Sequence, residues 1–381
     1  MYQNAGNIRK LCALLNPKTR YNIACFDRSA ISRMDSSLYR KPPIIIAQLL
    51  SQYRYWRRKL LRLLDIKGRS AWIYSPDCQA HFAGSLHPES PERTNAIARA
   101  LKNSGLWILL QKIEAPEVSD IQLARVHTRR YLSSLESQVP QTGSVKINED
   151  TFLSRDSLQA ARKAAGAAVK AVANLVMTKQ AKNAFCAVRP PGHHAHADKA
   201  SGFCFINNIA VAAMHAIAEY RLERVAILDF DLHHGDGTED IFRDDNRVML
   251  LSTFEHPLYP FCGTEYTGSN PNIANTPLKA GDGSNAFRDA VRQVWLPKLE
   301  QFQPQLILLS AGFDAHRDDP LGHLNLTEAD FEWLTKKVML FANRYAKGRI
   351  VSVLEGGYQL SSLASSAKAH IACLVKASPF F

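Results

Sequence analysis

The sequence predicts an α/β protein: a large, mostly parallel β-sheet with helices on both faces and a site at the carboxyl ends of its strands. Three observations carry that prediction. Short apolar runs alternate with helix-length segments from residue 71 to residue 354, the pattern of repeated βα units. One run, Val225 to Leu228, is apolar without interruption, as in a strand buried on both faces of a parallel sheet. Four runs end in HH, DFDLHHGD, FD and GGY, and open α/β sheets place their chemistry at such strand ends.

With 381 residues, 46% hydrophobic and 22% charged, the chain can bury a sizeable core in one large domain or two. Its seven cysteines form no C-x-x-C pair, which argues against a disulfide framework and against thiolate-held zinc. Reduced thiols point to a reducing compartment, the cytoplasm. No apolar run approaches the ~18 residues of a membrane span. The short apolar stretch after Arg9 and Lys10 is not an ordinary secretory signal.

The formal charge of +12 lies wholly in the first 70 residues, which hold 15 Lys and Arg against 3 Asp and Glu; the remaining 311 hold 32 of each. Residues 1–69 therefore read as a basic leader, and residues 70–381 as a catalytic domain. Within the leader, Ile44 to Leu64 sets apolar residues at near-helical spacing among Arg54, Arg57, Arg58, Lys59 and Arg62. Such a helix suits an anionic membrane surface. An organelle-targeting segment, a nucleic-acid arm, or simple packing on the body are the competing readings.

The first strand of the body is Ala71 to Tyr74, closed by Ser75-Pro76. HPESPERTNAI then leads through two prolines into a helix from about Pro91 to Ser104. Arg93 in that helix reads, by itself, as a solvated arginine. A helix near Ile121 to Leu135 and an Ala-rich one from about Ser157 to Met177 follow as scaffold. The strand Ala184 to Val188 delivers His193 and His194 through the stiff turn Pro190-Pro191-Gly192. Adjacent imidazoles suit proton transfer near neutral pH, with a carboxylate to hold the second nitrogen. Gly202 and Phe203 enter a helix from Asn207 to Tyr220, and Phe203 is placed to wall a narrow slot.

The stretch Asp229 to Asp236 is the densest chemistry in the chain. Asp229, Asp231 and His233 alternate, so in extended backbone they point to one side. Helix capping would explain one or two of these residues, but six of the eight are Asp, His or Gly, which favours a metal site. Arg247 to Ser252 is another strand, followed by a Gly- and Pro-rich loop that forms a rim. Gln305 to Ser310 ends at Asp314, a third ligand candidate, while Asp318 and Asp319 read as turn and cap residues. Arg349 to Leu354 ends in EGGYQL, where Tyr358 can donate to a developing oxyanion.

Two aspartates and a histidine leave open positions on a metal, the pattern of a catalytic site. Oxygen-rich ligation suits zinc and also iron or manganese. A water on such an ion becomes a nucleophile near neutral pH, which points to amide hydrolysis.

The motifs RPPGHH, GFCFINN, DFDLHHGDGT, AGFDAHRDDPLG and LEGGY occur in this order between residues 189 and 358. With them, residues from about 71 to 377 resemble the zinc-dependent histone deacetylase family, in its class II and bacterial deacetylase-like branch. The resemblance implies the arginase and deacetylase type of fold and hydrolysis of acyl-lysine amides in a protein or peptide. It implies zinc on Asp231, His233 and Asp314, and His194 as general base and acid with His193 as its electrostatic neighbour. Asp229 would orient His193, and Asp236 would orient His194. Tyr358 would serve the oxyanion, and Arg93 would line an internal pocket. The tunnel walls would be Gly202 and Phe203 on one side and Tyr259 on the other. A potassium ion would sit on Asp229, Asp231 and Ser252.

The single Asp after Phe313 departs from binuclear manganese ureohydrolases, which carry two there. Leu321 takes the place of the acidic gate of polyamine-preferring relatives, which favours acyl-lysine. Two alternatives stay open. One is an acetylpolyamine or other small-amide amidohydrolase; the other is a catalytically weak binding module docked through the basic leader.

Overall fold

The computed structural model describes residues 70–178 and 180–375; the basic leader and its Ile44 to Leu64 segment lie outside the described residues. Strands β1 (Ser70–Tyr74), β2 (Leu110–Glu114), β5 (Asn183–Ala187), β6 (Val225–Asp229), β7 (Val248–Glu255), β8 (Ile273–Leu278), β9 (Leu306–Ala311) and β10 (Ile350–Leu354) form one sheet. Its order is β2-β1-β5-β10-β9-β6-β7-β8, and every pairing is parallel. A small antiparallel hairpin, β3 (Ser144–Lys146) with β4 (Phe152–Ser154), stands apart.

Helices cover both faces. In chain order they are α1 (Glu92–Asn103), α2 (Asp120–Leu123), α3 (Arg129–Ser137), α4 (Ser157–Ala173), α5 (Asn208–Tyr220), α6 (Asp236–Phe242), α7 (Ser284–Ala290), α8 (Leu296–Phe302), α9 (Glu328–Tyr345) and α10 (Leu360–Leu374). Strand alternation divides the interior into two cores. Val225 and Ile227 of β6 pack with the alanine-rich α4 and with α5, whereas Ala226 and Leu228 pack with residues of α1, α9 and α10. Every residue of β5, β6, β9 and β10 is buried. Each large aliphatic side chain so buried stabilises the fold by about 1.5–3 kcal/mol. Four central strands are therefore a rigid base for whatever their ends carry.

The expected helix over Ile121 to Leu135 is two helices. Ser119 caps α2 with a reciprocal bond to Gln122, and Thr128 Oγ1 accepts from Tyr131 N at 3.2 Å to start α3 afresh. Between them His127 turns inward: its Nε2 accepts from Asn207 N at 3.0 Å, and its Nδ1 donates to His196 O at 2.9 Å. The Ala-rich helix ends at Ala173 and widens into a π-turn over Asn174–Thr178. Strands β2 and β8 escaped the sequence reading because both are sheet edges. The exposed positions of β2 are the charged Lys112 and Glu114, and that of β8 is Pro277, as edge strands tolerate. No helix among the described residues is long and apolar enough to cross a membrane.

Candidate active site

The strands that end in HH, GGY, FD and DFDLHHGD are β5, β10, β9 and β6, which are neighbours in the middle of the sheet. Their carboxyl ends share one edge because the strands are parallel. Four segments distant in sequence thus converge by backbone pairing alone.

At the centre, one ligand atom from each of Asp231, His233 and Asp314 lies within 4.8 Å of the others. His233 Nδ1 is 3.2 Å from Asp231 Oδ1 and 3.2 Å from Asp314 Oδ2. Tetrahedral ligands at zinc distances stand about 3.3 Å apart, so this spacing fits one small divalent cation. The remaining carboxylate oxygens are tied back: Asp231 Oδ2 accepts from Gly356 N at 2.7 Å, and Asp314 Oδ1 from Leu232 N at 3.0 Å. Apart from that contact with His233, the buried Asp314 Oδ2 meets no hydrogen-bond donor, a costly state that a cation would relieve.

Two glycines make the convergence sterically feasible. A Cβ at Gly356 would lie 2.0 Å from Asp314 Oδ2, and one at Gly312 would lie 2.0 Å from Asp231 Oδ2. Only glycine lets the backbone pass this close to both carboxylates. The local field also favours positive charge. Burial opposes charge on His233, but Asp231 and Asp314 outweigh it and push the imidazole well up. Burial and the Asp231 charge push the Asp314 carboxyl above its usual range.

The paired histidines flank this triad. His193 Nδ1 is 3.0 Å from Asp229 Oδ2, and His194 Nδ1 is 2.7 Å from Asp236 Oδ1, so each ring has one nitrogen held by its own carboxylate. The two rings lie 4.1 Å apart. Burial disfavours charge on His193, but Asp231 and Asp229 outweigh it and hold the ring well above the ordinary histidine value. Burial, helped by the neighbouring His193, lowers His194 to about 4. The two rings are thus pushed in opposite directions, His193 toward the charged form and His194 toward the neutral one. Gly202 confines the latter, since a Cβ there would lie 2.2 Å from His194 Cδ2.

Aromatic rings stand on both sides. Phe203, at a left-handed φ of 68°, faces Tyr358 edge-on at 5.9 Å and His87 at 4.5 Å. Tyr259 stands 5.2 Å from His194 and 6.3 Å from His233, and its hydroxyl bonds Ser201 Oγ at 2.7 Å. Leu321 is half-buried, with its N–H on Asp319 Oδ1 at 3.2 Å. Burial raises the Tyr358 phenol well above the ordinary value, so it keeps its proton and stays a donor.

Arg93 departs from the solvated reading: it is fully buried. Its Nε donates to Gly357 O at 2.7 Å, another guanidinium nitrogen donates to Glu355 O, and the group lies 4.8 Å from the Tyr358 ring. Glu89 supplies the counter-charge to Arg93 and also binds Arg189 through bonds of 2.7 and 2.5 Å. The helix that carries Arg93 is amphipathic, but sequence could not show that its polar side chain points at another strand's loop.

Two further positions, Glu355 and His196, escaped the sequence reading. Glu355 accepts from Gly192 N at 2.6 Å and His193 N at 3.2 Å, and burial pushes its carboxyl up to about 7. Asp319 does act as a cap, as expected, but of the Tyr358 and Gln359 backbone, at 2.7 and 3.1 Å. His196, two residues beyond His194, contacts Asp236 Oδ2 at 3.0 Å. The alternation H-x-H in HHAH was the only local signal for it. Ser252 lies opposite Asp229 in the β6–β7 register, and its Oγ is buried without a partner.

Comparisons with known proteins bear on the family and the fold. The sequence model of the histone deacetylase domain matches residues 87–374. The chain is 39% identical over 292 residues to the histone deacetylase-like amidohydrolase of Pseudomonas aeruginosa, covering 75% of each chain. It is 38% identical over 313 residues to histone deacetylase 6 of Caenorhabditis elegans, covering 76% of this chain and 32% of that longer one. The solved HD domain of HDA15 superposes with a TM-score of 0.76 at 34% identity, over 82% of this chain and 91% of that one. A family match over most of the chain, a parallel sheet of that type and an Asp-His-Asp triad at its edge lead to one conclusion: the chain belongs to the histone deacetylase family of hydrolases.

Proposed function

We propose that the protein hydrolyses the amide of acyl-lysine in a protein or peptide, with one zinc ion held by Asp231, His233 and Asp314. The observation that carries this reading is the convergence of Asp231, His233 and Asp314 within 4.8 Å of one another, with two histidines beside them that are each held at Nδ1 by a carboxylate. When bound, the zinc supplies Lewis acidity, which lowers the pKa of a water and polarises the amide carbonyl.

The chain's own groups do the rest. His194 takes the proton of the attacking water at Nε2, because Nδ1 is occupied by Asp236, and returns it to the departing lysine amine. His193, held charged between carboxylates, stabilises developing negative charge beside it. Tyr358 donates to the oxyanion. Phe203, Gly202 and Tyr259 line the approach of the acyl-lysine, and the apolar Leu321 gives a second ammonium no partner, which disfavours acetylpolyamines. The unpartnered Ser252 hydroxyl opposite Asp229 supports a potassium ion there, with Asp231 as the other carboxylate.

Turnover of an acetyl-lysine peptide beside acetylated polyamines, by zinc-loaded and chelator-stripped protein, tests this reading. Peptide turnover is expected to vanish with the metal and in Asp231→Ala. Preferential turnover of the polyamines, or activity that survives both treatments, would overturn it.

Residues 1–69 we assign to a leader that tethers or addresses a cytoplasmic enzyme, on the strength of its concentrated positive charge. A chain beginning at Gly68 should then keep its turnover but lose binding to anionic vesicles or nucleic acid. A truncated chain without activity would place the leader in the catalytic domain.

A further inference from the structure

The carboxylate that holds His194 carries a second imidazole on its other oxygen. His196 Nε2 lies 3.0 Å from Asp236 Oδ2, and His196 Nδ1 lies 3.1 Å from Asp240 Oδ2. A neutral imidazole has one N–H and one lone pair, so it can donate to only one of two carboxylates. Two such contacts require both nitrogens to carry protons. Asp236 and Asp240 stand four residues apart on α6 and so face the same side.

The ring is pinned from its backbone. His196 N donates to Lys199 O at 3.0 Å, and His196 O accepts from the His127 N–H, whose tautomer is set by Asn207. Burial works against charge on His196, but the two carboxylates outweigh it, with Lys199 opposing them. Beyond Asp240 the chain opens on a cleft of about 350 Å³ that also holds Glu239, Arg243 and Glu265. The remaining imidazole there, His234, is paired to Glu239 at 3.2 Å.

We propose that His196 is a positioning residue for the base, the third member of a hydrogen-bonded chain His194, Asp236, His196, Asp240 that runs from the catalytic centre to solvent. The inference rests on the deacetylase reading above and deepens it. His196 fixes the Asp236 carboxylate in the plane that His194 needs and offsets part of its charge. Without it, the full charge of Asp236 at 2.7 Å would bind the proton on His194 more tightly. His194 would then be a poorer acceptor at a given pH.

Two measurements on the zinc-loaded full chain test this, in wild type, His196→Gln and Asp240→Asn. Nitrogen-15 spectra of labelled histidines should show at pH 7 a doubly protonated ring that is missing from His196→Gln. In His196→Gln, kcat should fall about tenfold while KM stays within about twofold. The acidic limb of its kcat/KM profile should move up by as much as about one pH unit, with Asp240→Asn intermediate. A neutral His196 at pH 7 overturns the proposal, as does an unmoved acidic limb in folded His196→Gln. If wild type turns over no acyl-lysine peptide, the deacetylase reading fails, while the spectra still decide whether the charged chain exists.

Discussion

His193 and His194 are adjacent in sequence, leave the same strand end and lie 4.1 Å apart, yet their surroundings push them toward opposite charge states. His193 points inward, where its ring meets the carboxylates of Asp229 and Asp231. His194 points outward to a single carboxylate already shared with His196, and it feels the charge of His193 from behind. Identical side chains are pushed toward opposite protonation states because each faces a different number of counter-charges. Division of labour between like titratable groups comes from what surrounds them, and not from the groups themselves.

The strongest way to break this comparison is to remove each ring in turn. His194→Ala should lower kcat on an acetyl-lysine peptide by roughly 10³, the scale of a lost general acid and base, and His193→Ala by clearly less. Steady-state kinetics of both variants decide the matter. Equal losses would mean that the two rings share one role.

A smaller effect concerns the inner ring's surroundings. The folded value of Glu355, about 7, lies above the ordinary 4.5, so the folded state keeps a proton that the unfolded chain has lost. Its contribution to stability is complete below pH 4.5 and is lost as pH rises through 7. Glu355→Gln keeps an acceptor for Gly192 N and cannot ionise. Its Tm should therefore fall less than that of wild type between pH 4.5 and 7. Parallel Tm curves for the two proteins would refute a proton on Glu355.

The smallest effect sharpens the outer side. Tyr259→Phe deletes only the bond to Ser201 Oγ while keeping the ring against His194. A single neutral hydrogen bond is worth about 0.5–1.5 kcal/mol, so KM should rise by a few fold at most with kcat nearly unchanged. A large fall in kcat would show that the hydroxyl itself serves the chemistry.

Much of the site was legible before any coordinates. Asp229, Asp231, His233 and Asp314 stood out because they follow apolar runs at strand ends, and the resemblance to the family picked Asp231, His233 and Asp314 from among them as the ligand set. The groups that hold them were not legible. Arg93 and Glu89 look like ordinary helix-entry charges, and their partners Gly357, Glu355 and Arg189 lie far away in sequence. His196 looks like a loop residue until α6 presents Asp236 and Asp240 to it. The single helix expected over Ile121 to Leu135 failed for the same reason: His127 is turned inward by a tertiary bond to Asn207 that overrides local periodicity.

By itself, then, the sequence determined the fold class, the strands with uninterrupted apolar runs, and the residue types at their ends, since burial on both sheet faces and metal affinity are written in side-chain chemistry. Tertiary structure alone decided the strand order. It places β10 and β9 between β5 and β6, bringing Tyr358 and Asp314 between the histidines and the aspartates. It alone also decided which of two adjacent histidines faces the larger number of carboxylates. Both depend on neighbours supplied by distant segments, and pairing partners, unlike periodicity, leave no mark on the residues that await them.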